Sequence, residues 1–500
     1  MATPEKTYLF SEKFENVKYK KLGKTGFQSS VCGFGTYRVD YRVKEHNEAL
    51  ELALQNGINL IDTAANYSDG GSETLVGTVL TRLTEENRLE RDEVIVVSKG
   101  GYIQGENLRD AMQRETEGRG YPEVVKCAPD LWHCIHPDFL SDQITHSLER
   151  MKLDKIDCYL LHNPEYFLSY TNTSDLSALR KEYYRRICEA FIHLEGEVIK
   201  GRICYYGISS NTFTEDSRRW NYTSIDEIFN IVRDISPDNH FGVIELPLNL
   251  LEKEAAQKPK VPAVTDSLLY KAHKAGLGVL VNRPLNAIEN NKIIRLADFP
   301  IRENRKPEEI NQLIEELQQQ EESIKNEFVK KMEAEGQDID TINEALSLSV
   351  ILKSTISRFE SANQFIEIKK TYLIPRANFA INEIFTYYNQ DEQIADKLNF
   401  YATIVNIVLD SIESMYAVKT NEANRKYHDI LSGYTTAEYE KLTLSQKVFL
   451  MINSLSEVSC TLVGMRSREY VLDVLKVIGA PSVENAKEYW EKPNENKHDQ

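Results

Sequence analysis

At 500 residues the chain is long enough for two to four ordinary domains, or for one large barrel with an added piece. Sixty Lys and Arg stand against 77 Asp and Glu, a net charge of −17, and no long basic block interrupts the acidic balance, which argues against nucleic-acid binding and against attraction to an anionic membrane. No stretch reaches the roughly 20 apolar residues of a membrane-spanning helix, and the first twenty residues lack the apolar centre of a secretion signal. The seven cysteines (32, 127, 134, 158, 188, 204 and 460) are scattered and never spaced as CxxC. The expected setting is a reducing cytoplasm, with neither a disulfide framework nor a cysteine-held metal.

In chain order, short β-rich runs alternate with segments of helical spacing. Strands are expected at 31–37, 58–62, 93–99, 156–162, 203–209, 242–248, 277–283 and 460–464. Helices are expected at 44–55, 73–83, 138–151, 182–200, 224–234, 266–274, 444–454 and 468–478. In the first of these Ala49, Leu50, Ala53 and Leu54 make one apolar stripe, and Gly57 follows where a left-handed C-terminal residue is wanted; Gly276 does the same for the sixth. The strands are apolar nearly throughout, as strands buried on both faces are. Eight such units with right-handed crossovers close most simply into an α/β fold, the (β/α)8 TIM barrel. A doubly wound sheet is the alternative, but no GxGxxG follows the first strand.

Two stretches break the rhythm. Residues 101–136 carry Tyr102, Tyr121, Trp132, His133 and His136 and read as a long loop at the C-terminal mouth of the barrel. Between Pro300 and Ser432 there is one glycine, Gly336, and stripes such as Ile310/Leu313/Ile314/Leu317 mark a large helical insertion between the seventh strand and the seventh helix. Pro375 stands near an expected break in it, and its Glu/Gln-rich start at 308–322 looks like a coiled-coil fragment too short to sustain heptads. The expected division is a barrel over 1–287, an inserted helical region over 288–440, a closing barrel part over 441–485 and a polar tail over 486–500.

The chemistry lies on strand ends. Strands two, three and four end in Asp62, Lys99 and His162, with Tyr67 five residues past Asp62, and in a barrel these ends meet at one mouth. Singly, an aspartate there is often a helix cap and a lone histidine a satisfied structural residue. Together they form a working set. A phenol near pKa 10 is a poor acid–base group at neutral pH unless its anion is stabilised. A neighbouring ammonium such as Lys99 does that, a carboxylate such as Asp62 holds the ammonium, and a histidine orients a carbonyl oxygen. Such a set protonates a carbonyl while hydride arrives from elsewhere, or runs the reverse.

Tyr19-Lys20-Lys21-Leu22-Gly23-Lys24-Thr25-Gly26, Gly33-Phe34-Gly35-Thr36, Asp62-Thr63-Ala64-Ala65-Asn66-Tyr67, Val97-Ser98-Lys99 and Leu160-Leu161-His162-Asn163-Pro164, in this order and spacing, resemble the aldo-keto reductase family over 19–286 and 443–480. The resemblance implies hydride transfer between a nicotinamide dinucleotide and a small-molecule carbonyl or alcohol: an aldehyde, ketone or sugar. Tyr67 would be the general acid–base, Lys99 and Asp62 would tune it, and His162 would position the substrate oxygen. Gly35 and Thr36 would lie against the cofactor, and Ser210 and Asn211 would bind its carboxamide. Glu245 stands where the family usually has glutamine, and a glutamate accepts a hydrogen bond but donates none unless protonated. In Asn282-Arg283-Pro284-Leu285 the asparagine replaces a stacking aromatic, while Arg283 could hold the pyrophosphate bidentately. The strand end Gly464 and the helix start at Arg466 and Ser467 would take an adenosine 2′-phosphate, which favours NADP over NAD.

His133 and His136 form an HxxH with no obvious carboxylate partner, and no strand shows a His-x-His pair, so no metal site is expected. Tyr37, just past the first strand, is a candidate for the substrate pocket, as are Tyr102 and Trp132. The alternative to catalysis is a cofactor-binding sensor or scaffold whose helical insertion is a protein-interaction module. Glu245, Asn282 and the insertion itself point that way.

Overall fold

The computed structural model describes residues 1–258, 266–289 and 292–492. Eight parallel strands form a closed barrel: β1 (Cys32–Gly35), β2 (Leu60–Asp62), β3 (Ile95–Gly100), β4 (Ile156–His162), β5 (Ile203–Ser209), β6 (Phe241–Pro247), β7 (Gly278–Asn282) and β8 (Cys460–Gly464). They neighbour one another in chain order, with β8 pairing β1. The intervening helices are α1 (Lys44–Gln55), α2 (Gly71–Glu85), α3 (Pro137–Met151), α4 (Leu176–Ile199), α5 (Ile225–Ile235), α6 (Leu268–Lys274), α7 (Leu444–Asn453) and α8 (Arg468–Leu475). The stripe on α1 is buried as the spacing requires, and Gly57 takes φ +91° after it. Helix α4 starts six residues earlier than its apolar stripe suggested, because Asp175 caps it through the Ala178 amide and its first turns are polar.

The barrel interior is filled by Leu60, Ile95, Val97, Cys158, Leu160, Val243, Leu280, Cys460 and Leu462. Its N-terminal end is closed by Leu22 and Phe27, which flank the turn between Tyr19–Lys21 and Gln28–Ser30, an antiparallel pair.

The stretch 101–136 is not a plain loop. Tyr102–Ile103, Val125–Ala128 and Leu131–His133 form a three-stranded antiparallel sheet, and Gly105–Thr116 is a helix. Strands of two to four residues are too short for alternation to reveal, and the helix buries only Leu108 and Ala111.

The chain divides into two compact units, one comprising Met1–Leu296 with Tyr434–Gln500, the other Ala297–Gly433. The first unit includes a hairpin, Asn286–Glu289 with Lys292–Arg295, which straddles the boundary at 287/288 expected between barrel and insertion; residues 290–291 lie outside the described residues. The second unit is helical, around Ile314, Leu348, Leu352, Ile384, Tyr401, Val408 and Ile412. The 308–322 segment is part of the helix Pro307–Ile324, which packs on the 41-residue helix Glu392–Ser432. Pro375 does not break its helix: a π-helical turn, Lys369–Leu373, precedes Ile374–Tyr387 and the backbone stays helical through the junction. The polar tail begins later than expected, since Ala486–Glu491 is a helix with Tyr489 and Trp490 buried and the indole donating to the Met451 carbonyl at 2.9 Å; residues 493–500 lie outside the described residues. No described helix is long and apolar enough to cross a membrane.

Candidate active site

Side chains on a barrel strand alternate inward and outward. Stepping two residues past the interior Leu60, Val97, Leu160, Val243 and Leu280 gives Asp62, Lys99, His162, Glu245 and Asn282. All five therefore face inward at the C-terminal mouth, and the register agrees: Asp62 pairs Val97, Lys99 pairs Leu160, and Ser209 pairs both His162 and Glu245.

Lys99 is fully buried and sits between two carboxylates. Its Nζ donates to Asp62 Oδ1 at 2.5 Å and to the Thr63 carbonyl at 3.2 Å, and lies 3.3 Å from Glu245 Oε2. Burial disfavours the ammonium, but Asp62 and Glu245 outweigh it and hold the lysine charged above its ordinary range. Asp62 is pushed up, first by burial and then by the Glu245 charge, against the pull of Lys99.

Tyr67 begins a tight turn in which Ser68, Asp69 and Gly70 all have positive φ. The turn is held from outside by Asp69, whose carboxylate accepts from the Glu106 amide at 3.0 Å. The Tyr67 ring lies edge-on to His162 at 5.9 Å and to Tyr37 at 5.4 Å, with the Lys99 ammonium 5.2 Å from its centroid. Burial drives its phenol above the ordinary range, Lys99 opposes this, and Asp62 and Glu245 add to it.

His162 is buried and stays neutral, its basicity lowered by burial and by Lys99; its Nδ1 has no partner. Around it stands an aromatic wall that the sequence did not assemble. Tyr102 meets His162 edge-on at 4.7 Å and Tyr166 at 5.1 Å, and His133 stacks on Tyr166. His133 donates through Nε2 to the His162 carbonyl at 2.8 Å, whereas His136 accepts from the Asp138 amide as the cap of α3. The HxxH pair is thus a scaffold, and no group of three metal-ligating side chains occurs among the described residues. Trp132 packs with Ile103, Leu108 and Phe139 behind the wall; Tyr37 is exposed at the rim.

The residues expected to hold a cofactor divide into two sets. Thr36 is turned into the wall, its hydroxyl donating to the Asp62 carbonyl at 2.9 Å and accepting from Ser72 at 2.6 Å, and Gly35 packs against the Val463 carbonyl. Ser210 is buried and caps the following turn through the Thr212 amide. The Asn211 side chain is exposed, and its backbone amide donates to Glu165 at 2.8 Å. Glu165 was missed from sequence; it also accepts from Asn163 at 3.0 Å and ties the ends of β4 and β5 together. The run Asn163-Pro164-Glu165 immediately after a strand was the available signal. Arg283, at φ +50°, pairs with Glu252 at 2.8 Å, so its guanidinium already has an anion; Pro284 and Leu285 are buried in the turn that follows. The second set is open. Asn282 Oδ1 and His162 Nδ1 are buried acceptor or donor atoms without a partner. Gly464 is exposed with nothing within 4 Å of an added Cβ. Ser467 caps α8 by position but makes no side-chain bond to it, and Arg466 lies close enough to Arg295 and Tyr470 for the three to interact.

The Aldo/keto reductase family profile matches residues 32–230, from β1 to the middle of α5. This stretch belongs to the aldo-keto reductase family. A curated protein, the NADH-specific methylglyoxal reductase of Escherichia coli strain K12, is 29% identical over 149 residues, 28% of this chain and 40% of that protein; the chain therefore spans well under half of that relative. Among solved structures, an aldo-keto reductase from Bacillus halodurans in its holo form aligns at 20% identity and TM-score 0.36, over 60% of this chain and 76% of that one. An aldo/keto reductase from Klebsiella pneumoniae in complex with NADP and acetate aligns at 20% identity and TM-score 0.33, over 54% of this chain and 69% of that one. The family match covers Asp62, Tyr67, Lys99 and His162; Glu245, Asn282 and the Ala297–Gly433 unit lie beyond it.

Proposed function

We propose that this protein is a nicotinamide-dependent oxidoreductase acting on a small carbonyl or its alcohol, with Tyr67 as general acid–base. The observation that carries this reading is the buried Lys99, tied to Asp62 at 2.5 Å and standing beside the Tyr67 ring, with neutral His162 on the other side. Tyr67 holds and gives the proton, Lys99 lowers the cost of the phenolate, Asp62 fixes Lys99, and His162 directs the carbonyl oxygen through a ring nitrogen. The nicotinamide, when bound, supplies or takes the hydride. The aromatic wall of Tyr102, Tyr166 and His133 excludes water from one side of the mouth.

The orphaned Asn282 Oδ1, the open Gly464 and the uncapped start of α8 suit a dinucleotide. The cationic grouping of Arg466 with Arg295 is the support for NADP over NAD, since a 2′-phosphate brings the extra charge. The substrate class is a short aldehyde, ketone or sugar; the activity for which the E. coli relative is named makes methylglyoxal the first to try.

The test is to titrate the protein with NADPH and with NADH by cofactor fluorescence. Near-ultraviolet absorbance is then followed over a panel of aldehydes, ketones and sugars, with Tyr67→Phe beside the wild type. Turnover lost by at least a hundredfold in Tyr67→Phe supports the reading. Cofactor binding without turnover on any substrate transfers it to a sensor, and binding of neither cofactor refutes it.

A further inference from the structure

The two positions at which this chain departs from its family's usual cofactor residues are bonded to each other. Asn282 Nδ2 donates to Glu245 Oε1 at 2.8 Å, which leaves Glu245 Oε2 facing Lys99 at 3.3 Å. Asp62 takes the same ammonium from the opposite side at 2.5 Å. Glu245 and Lys99 are both buried, so water screens neither. One cation thus serves two carboxylates as well as the phenol, and each carboxylate draws on the field that a Tyr67 anion would need.

Resting on the oxidoreductase reading, we propose that Glu245 is a positioning residue of the acid–base centre, oriented by Asn282, which engages Lys99 so that Tyr67 remains a phenol and the centre favours carbonyl reduction over alcohol oxidation. In reduction Tyr67 must arrive protonated: the carbonyl carbon accepts the hydride with its electron pair, the C=O π pair moves to oxygen, and the Tyr67 Oη proton completes the alcohol. The phenolate left behind regains a proton from water. In oxidation the phenolate must be present beforehand, and Glu245 disfavours it.

The groups facing Tyr67 and its lysine are Asp62 on β2, Lys99 on β3, His162 on β4 and Glu245 on β6, with Tyr37 after β1, Tyr102 in the three-stranded sheet, and Cys460 on β8 near Asp62. Asp62 is the tie that holds Lys99, His162 is neutral, and burial keeps the Cys460 thiol protonated. Glu245 is therefore the one among them whose charge can be removed while the Asp62–Lys99 bond is kept.

The experiment uses full-length protein carrying tyrosine labelled with carbon-13 at Cζ, in which the Tyr67 signal is assigned by its loss in Tyr67→Phe. In the wild type that signal should stay phenolic well above the ordinary tyrosine range. In Glu245→Gln, and in Glu245→Met should the first variant fail to fold, the Tyr67 midpoint should fall by about one pH unit or more, as removal of a close charge does. With the same proteins, the turnover number for hydroxyacetone oxidation by NADP or NAD at saturating substrate and cofactor near neutral pH should rise about tenfold relative to that for methylglyoxal reduction, with KM values shifting to keep the equilibrium unchanged, and its pH profile should move with the spectroscopic midpoint. An unmoved Tyr67 signal, or a moved signal with an unchanged ratio of oxidation to reduction, overturns the role of Glu245. Failure of every protein to turn over any member of the aldehyde, ketone and sugar panel counts against the oxidoreductase reading instead, and the labelled signal still decides whether Glu245 controls Tyr67.

Discussion

Asn282 and Glu245 face each other across adjacent strands at 2.8 Å, an amide donating to a buried carboxylate. Their pairing explains how an acidic side chain is tolerated beside Asp62, because each buried oxygen of Glu245 faces either an amide or an ammonium. Asn282→Ala should cost about 2 kcal/mol of stability in urea denaturation, the usual worth of a hydrogen bond to a charged group. Added to Glu245→Gln it should cost less than the two single changes together. Strict additivity would show that the two side chains do not act as a pair.

His133 makes the barrel sensitive to acid. Burial holds its imidazole neutral and lowers its pKa to about 4, against a weaker opposing bond to the His162 carbonyl. Below about pH 6.5 the unfolded chain takes up a proton that the folded chain refuses until about pH 4. Stability therefore falls across that window as pH drops, by up to about 3 kcal/mol. His162 acts in the same direction, so the contribution of His133 is read as a difference. His133→Gln keeps an Nε donor for the His162 carbonyl and loses the titration, and its denaturation midpoint should depend less on pH between those limits. An equal pH dependence in both proteins would remove His133 from the account.

Gly207 lies where β5 passes β6 most closely: a Cβ there would stand 1.8 Å from the Val243 carbonyl oxygen, a backbone atom with no room to yield. Gly207→Ala should cost about 4 kcal/mol or more and abolish soluble expression. Gly464→Ala, with nothing within 4 Å, should change stability by less than about 0.5 kcal/mol. The soluble yield of the two variants, with thermal melting of Gly464→Ala against the wild type, checks the contrast.

In the Ala297–Gly433 unit, Glu321 is buried and accepts from the Leu348 amide at 2.7 Å, the Ser349 amide at 3.3 Å and the Ser349 hydroxyl at 2.5 Å. It caps the helix Leu348–Thr355 from a different helix. Glu321→Leu leaves those donors unpaired in an apolar core, at a cost of about 3 kcal/mol. Hydrogen exchange at the Leu348 and Ser349 amides should quicken by about a hundredfold or more, while the Lys99 and Leu160 amides of the barrel keep their wild-type rates. Unchanged exchange at Leu348 would refute the cap.

The sequence by itself determined the barrel. Strands buried on both faces are continuous apolar runs, helices such as α1 show one stripe, and left-handed glycines end them, so periodicity recovered the bounds of α1, β4, β5 and β8 as the structure has them. It also placed Asp62, Lys99 and His162 at strand ends, because the end of an apolar run is a local property, while Glu245 and Asn282 were located only through the resemblance to a known family. What faces what was not local. The three-stranded sheet over 102–133 is made of strands too short to carry a pattern, and the bond from Asp69 to the Glu106 amide joins residues that no spacing relates. The side chains of Thr36 and Ser210 turn into the wall because neighbouring strands offer them partners there. That Lys99 lies between two carboxylates, and that Asn282 holds one of them, depends on closure of the barrel, which brings β2, β3, β6 and β7 to one mouth. Electrostatics at such a site act through space at a few ångströms in a buried medium. Residue types can be read along a chain, but those distances exist only once the sheet has closed.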